Sequence, residues 1–142
     1  MKDFKEFLKS GIVKKQMLNK QRALSLITEA TQKKVYLATT IQLLPKEKWN
    51  PNVMVDQCYD IIMELIRAQM FLDGYNAGNS HEAEVAYMKM LDFSEFEAKY
   101  MDEIRYYRNG TKYYGTILNI EYAENVIKFL NKIYPRLIRI MK

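Results

Sequence analysis

The stretch from Val53 to Leu72 constrains the fold more than any other part of the chain. Val55, Cys58, Tyr59, Ile62, Leu65, Ile66, Gln69 and Leu72 follow the helical period, while Ile61, Met63, Ala68 and Met70 fill the remaining faces. A helix that is apolar on most sides has to sit at the centre of whatever surrounds it. Asp60, Glu64 and Arg67 then stand out, because charges on a central helix need partners or an opening to water. Asp60 with Glu64, and Glu64 with Arg67, lie at helical contact spacings, so the sequence predicts an internal ion pair, with a role in a functional site as the alternative.

The rest of the chain supplies helices to pack around that centre. Glycine and proline are scarce, five and three, and apolar residues recur at three and four. The fold class predicted is all-α, an antiparallel helical bundle in a single domain with no strand. With 49% hydrophobic residues, 142 residues are enough for one sizeable core. Residues 1–18 read as a basic arm or short helix, with Phe4, Phe7 and Leu8 on one side and a stop at Ser10-Gly11; the bundle proper covers 19–142. A second helix is predicted from an Asn19 cap to about Leu44, ended by Pro45 and the Trp49-Asn50-Pro51 turn. Beyond the central helix come a loop at Asp73-Gly74 and Ala77-Gly78-Asn79, then a helix from Ser80 to about Leu91. Ser94-Glu95-Phe96-Glu97 is a capping box, opening a helix to about Asn109. Asn119 is the predicted cap of a last helix, which carries Lys128, Lys132, Arg136 and Arg139 on one face and Pro135 as a possible kink.

Charge and cysteine usage narrow the function. The net charge of +5 is uneven: residues 1–22 carry seven Lys/Arg against two acids, and residues 128–142 carry five with no acid, which leaves the middle acidic. This distribution suits a local anionic contact and excludes a histone-like coat of positive charge. Cys58, the single cysteine, is expected to be a small buried hydrophobe in a reducing, cytoplasmic setting. No run approaches a membrane span and Met1 to Leu8 has no long hydrophobic signal region, so neither membrane insertion nor export is expected. One histidine and one cysteine leave a metal cage to carboxylates alone, and neither a metal nor a cofactor is expected.

The segment Arg105-Tyr106-Tyr107-Arg108-Asn109-Gly110-Thr111-Lys112-Tyr113-Tyr114-Gly115 sets two arginines and four tyrosines around a glycine break. Arginine offers a planar donor fork for phosphate, and tyrosine offers a stacking face and a hydroxyl. Arg105, Arg108, Asn109, Lys112, Tyr113 and Tyr114 are therefore the candidate ligand-binding residues for RNA or a nucleotide. The competing account has the tyrosines lining a helix–helix seam and the arginines pairing with Asp102 and Glu103. His81, in the first turn of its helix, reads either as a surface or capping residue or as a catalyst.

The order of these features resembles the HEPN domain family, small helical bundles found in prokaryotic toxins and beside minimal nucleotidyltransferases. The likeness spans about Asn19 to Ile140. It rests on the long second helix, the central Tyr59-Asp60-Ile61-Ile62-Met63-Glu64-Leu65 helix, the Leu72-Asp73-Gly74-Tyr75 turn followed by Ser80-His81, and above all Arg108-Asn109. In the family an arginine, often followed by Asn, precedes a histidine by a few residues, and the pair resembles a metal-independent RNA-cutting centre. Here Tyr113, Tyr114 and Gly115 stand where the histidine belongs. Tyrosine, with an ordinary pKa near 10, is a poor general base at neutral pH.

The resemblance thus implies a protein that binds RNA or a nucleotide without efficient catalysis, with a nucleotidyltransferase-type antitoxin as possible partner. It further implies a homodimer with Arg108, Asn109, Tyr113 and Tyr114 of both copies around one cleft. Two alternatives stay open: an active ribonuclease toxin in which Tyr113 or His81 works with Arg108, and a dimeric assembly module with no ligand.

Overall fold

Helix α3 (Pro51–Asp73) begins where Asn50 accepts a hydrogen bond from the Val53 N–H and Pro51 fixes the first turn. It ends at Gly74, whose φ of +84° is left-handed. A Cβ on Gly74 would lie 2.8 Å from the Gln16 carbonyl oxygen, so only glycine fits this crossing. Fourteen of the helix's side chains are buried, which puts it at the centre of the molecule as the apolar pattern predicts. Each buried Ile or Leu contributes roughly 1.5–3 kcal/mol by leaving water.

The computed structural model describes residues 1–141, and among them five further α-helices pack around this axis. Helix α1 (Phe4–Lys9) places Phe4 and Phe7 in the common core, so the N-terminal segment is docked against the bundle. Helix α2 (Lys20–Leu43) is capped by Asn19, as expected, and makes the most extensive helix pairing of the fold, against α3. Helix α4 (His81–Ala86) is capped by Ser80, α5 (Glu95–Tyr113) by the Ser94/Glu97 box, and α6 (Ile120–Ile140) by Asn119. Helices α4, α5 and α6 all contact α3. The all-α bundle expected from the sequence is the fold observed.

Four local expectations need correction. A strand pair does exist: β1 (Lys14–Lys15) and β2 (Tyr75–Asn76) pair antiparallel, with Lys14 opposite Asn76 and Lys15 opposite Tyr75. Two residues are too few to leave a period-2 pattern. The helix from Ser80 does not run unbroken to Leu91, because it tightens into a 3₁₀ turn at Tyr87–Leu91. Helix α5 runs past Asn109 to Tyr113, taking Gly110 inside it. Finally, the charges of α3 are not paired within the helix: Lys33 of α2 meets Glu64 at 2.8 Å, and Arg67 is bound by Glu84 of α4. Tertiary partners win over the intrahelical spacing.

Pro135 sits inside α6, which continues through it to Ile140. Lys132 and Arg136 of its basic face lie at Glu97, 3.5 and 2.6 Å away.

Candidate functional site

The buried stripe of α5, Glu97, Ala98, Met101 and Ile104, stops more than two turns before the helix does. Beyond Ile104 no residue of α5 is fully buried, so the last turns carry their side chains between core and solvent. The helix closes on one carbonyl: the N–H groups of Tyr114 and Thr116 both donate to the Gly110 oxygen, at 3.0 and 3.1 Å. Gly115, with φ +71°, makes the reversal. Asn52, at the start of α3, pins the returning chain, its amide donating to the Thr116 carbonyl at 3.0 Å and its oxygen accepting from the Leu118 N–H at 2.8 Å.

This geometry divides the candidate residues between two faces. Arg108 turns inward. Its Nε donates to Asp56 Oδ1 at 2.8 Å, its Nη2 lies 3.8 Å from Asp60, and its guanidinium carbon sits 5.1 Å from the centre of the Tyr59 ring. The side chain is only 13% exposed. Arg105 instead holds Asp102 one turn back, at 2.8 Å, as the competing account proposed; Arg108 does not pair with Glu103. Burial would lower the Arg108 pKa, but Asp56 and Asp60 more than offset it, so the guanidinium stays firmly charged. Asp60 is raised above the ordinary carboxylate range by burial and by Asp56, against the pull of Lys33, Arg108 and Lys112.

The outer face is aromatic. Tyr106, Tyr107, Asn109, Gly110, Tyr113, Tyr114 and Thr116 line a groove of about 560 Å³. Tyr113 is 69% exposed and Tyr114 84%, so these rings do not line a helix–helix seam. Tyr106 and Tyr107 meet edge to face at 5.5 Å, and Tyr107 in turn meets Tyr122 of α6 at 5.4 Å, which fixes the groove wall to the bundle. Gly110 is the floor, where a Cβ would lie 2.8 Å from Thr116 Oγ1. The lining offers stacking faces, amides and hydroxyls, and contains neither an imidazole nor a carboxylate.

His81 is held elsewhere. Its Nδ1 lies 2.9 Å from Glu84 Oε1, and its ring meets the edge of Tyr59 at 6.5 Å. His81 and Arg108 thus contact the same tyrosine, yet among the described residues no hydrogen bond or ion pair links His81, Arg108 and Tyr113 to one another. Burial tends to raise the Glu84 pKa, but the hydrogen bonds from His81 and Arg67 prevail and hold it below the usual carboxylate range. Lys112 is exposed.

Sequence reasoning missed Asp56, Tyr59 and Glu84 as members of a polar seam along α3, and Asn52 as the anchor of the chain returning after Gly115. Asp56, Asp60 and Glu64 recur every four residues along α3, a period that marks one polar stripe on an otherwise apolar helix. Among the described residues no group of three or more His, Cys, Asp or Glu side chains is arranged to hold a metal ion. Among them, too, no helix is long and apolar enough to cross a membrane. Cys58 is buried and its thiol is pushed up to about 12 by burial, which makes it inert at neutral pH. Compared with known proteins, the chain matches no family model, no curated protein and no solved structure.

Proposed function

We propose that this chain is an HEPN-like, cytoplasmic protein that binds single-stranded RNA or a nucleotide in the tyrosine groove and does not cut it efficiently. The observation that carries the reading is the open aromatic groove at the end of α5, where Tyr113 and Tyr114 are exposed and Tyr106 and Tyr107 are braced edge to face. Base stacking on such rings is worth roughly 1–3 kcal/mol per base and tolerates any sequence. Asn109 adds an amide that can hydrogen-bond a base edge. Arg108 acts from beneath as a positioning residue, tying the groove-bearing helix to α3 through Asp56. Cleavage needs a proton carrier working near neutral pH, and the groove lining contains no histidine.

In this reading a second copy meets the same face, where Tyr106, Tyr113, Tyr114 and Ile117 leave apolar surface in water. A nucleotidyltransferase-type partner belongs to the same proposal.

The test is binding and cleavage of a labelled mixed RNA pool, at low salt with EDTA, by the natural protein and by Tyr113→Ala/Tyr114→Ala. Binding that falls about tenfold or more in the double variant, with no cleavage in either protein, supports the reading. Cleavage by the natural protein would make it a metal-independent ribonuclease. Equal binding by both proteins, or none, would leave the groove as an assembly surface, and sedimentation of the double variant then shows whether the dimer depends on it.

A further inference from the structure

A second cavity, of about 280 Å³, opens between α2, α3 and the loop after β2, apart from the tyrosine groove. Arg22, Arg67, Phe71, Asn79, His81 and Glu84 are among the residues that line it. Its charges do not cancel. The one carboxylate, Glu84, is buried and already saturated: Arg67 donates to it from Nε and Nη2, and His81 Nδ1 lies against the same oxygen as the Nη2 bond. Arg67 and Glu84 therefore neutralise one another, and Arg67 keeps Nη1 without a protein partner among the described residues.

Arg22 is the surplus cation. Its guanidinium is held 4.6 Å over the Phe71 ring, and among the described residues no carboxylate reaches it. Stacking on an aromatic face leaves the in-plane N–H donors of a guanidinium free to bind an anion. The cavity frame is fixed by backbone: Asn19 N–H donates to the Phe71 carbonyl at 3.0 Å, and Gln16 N–H donates to the Gly74 carbonyl at 2.8 Å. The Gly78 N–H is already taken by the Asn76 side chain at 2.8 Å, and the side-chain amide of exposed Asn79 makes no hydrogen bond among the described residues.

We propose that this cavity is a second ligand site, which takes the phosphate group of a small anion or phosphomonoester between Arg22, Arg67 and Asn79. The surplus guanidinium of Arg22 and the free Nη1 of Arg67 offer donors to an anion with several oxygen acceptors. A volume at the low end of ligand cavities limits the ligand to the size of free phosphate or a small phosphate ester.

The test is an amide-resolved NMR titration of the full chain, at constant ionic strength, with inorganic phosphate, adenosine monophosphate, adenosine and acetate. Phosphate and the nucleotide are expected to shift Ala77, Gly78 and Asn79, and Arg22→Ala to weaken both at least about tenfold. Tyr113→Ala/Tyr114→Ala is expected to leave phosphate binding unchanged, which separates this site from the groove. Equal affinity for the two ligands assigns the site to the free ion, and tighter nucleotide binding assigns it to an organic phosphate. Arg22 also packs on Phe71, so Asn79→Ala, at an exposed loop position, serves as a second variant with the same expected direction. Absence of shifts with phosphate, shifts that persist in both variants, or acetate or adenosine shifting the Ala77, Gly78 and Asn79 amides with the same affinity as phosphate would overturn the proposal.

Discussion

Arg108 and Tyr113 lie five residues apart on one helix, yet one is clamped between two aspartates and the other stands open to water. The polar seam along α3 and the tyrosine groove at the end of α5 meet in one short stretch, which gives Arg108 to the seam and Tyr113 to the groove. They differ in what fixes them. In the seam each charge has a partner on another helix: Lys33 with Glu64, Arg67 with Glu84, Arg108 with Asp56. In the groove the rings touch mainly each other and solvent. The seam is therefore expected to govern stability, and the groove to be open to change without loss of fold.

The largest test of that contrast is Glu84→Ala. It leaves Arg67 without its carboxylate and is expected to cost about 3–5 kcal/mol in urea unfolding. Tyr113→Ala and Tyr114→Ala, by contrast, are each expected to stay within about 0.5 kcal/mol of the natural protein when the dilute monomer is unfolded, as exposed substitutions do. A groove substitution as costly as Glu84→Ala would erase the distinction. Next in size comes the Arg108–Asp56 pair, where Asp56 is 31% exposed and water screens the interaction. A double-mutant cycle with Arg108→Met and Asp56→Ala is expected to give a coupling of about 1 kcal/mol. For the same reason Arg108→Ala is a poor probe of binding on its own, because it exposes Asp56 and Asp60 to one another.

Acid sharpens the comparison from another side. The folded Glu84 pKa lies below its ordinary value of 4.5, so its contribution is full above that value and is lost as pH falls through the folded pKa. Asp60 works in the opposite sense: its pKa is raised in the fold, so protonating it favours the folded state as pH falls. Unfolding followed from pH 7 to pH 3 is expected to show the loss, and Glu84→Gln to flatten that part of the curve, whereas the groove variants are expected to track the natural protein.

Much of the frame was legible because it rests on local chemistry. Asn19, Ser80, Ser94 with Glu97, and Asn119 each announce a helix start, and the all-round apolar pattern of α3 announces its central place, whereas Asn50-Pro51, read as the turn closing α2, is also the cap and first turn of α3. The candidate site was legible as a cluster and illegible as a shape. Successive residues of a helix point about 100° apart, so neighbours such as Arg108 and Asn109 part company at once. Which face meets α3 depends on where Ile104 and Met101 pack, and that is set by the other helices. The end of α5 was misread for a related reason: Gly110 looks like a stop, but Thr116 folds back over it and its carbonyl closes the helix. The ion pairs of α3 were hidden because Lys33 and Glu84 are distant in sequence.

The finest test lies at Tyr59, which touches the Arg108 guanidinium on one side and the His81 ring on the other. The residue is 2% exposed, and its hydroxyl has no hydrogen-bond partner among the described residues. Burial pushes the phenol well above its ordinary pKa, so the group stays neutral and gives Arg108 no charge to pair with. An unpaired buried hydroxyl costs free energy that its removal returns, and Phe keeps the ring that the cation stacks on. Tyr59→Phe is therefore expected to be neutral or to stabilise the fold by up to about 1 kcal/mol, with RNA binding in the groove unchanged. A loss of stability of similar size would mean that the hydroxyl is engaged within the seam. A loss of RNA binding at unchanged stability would mean that seam and groove act as one site, with Tyr59 as the link between Arg108 and His81.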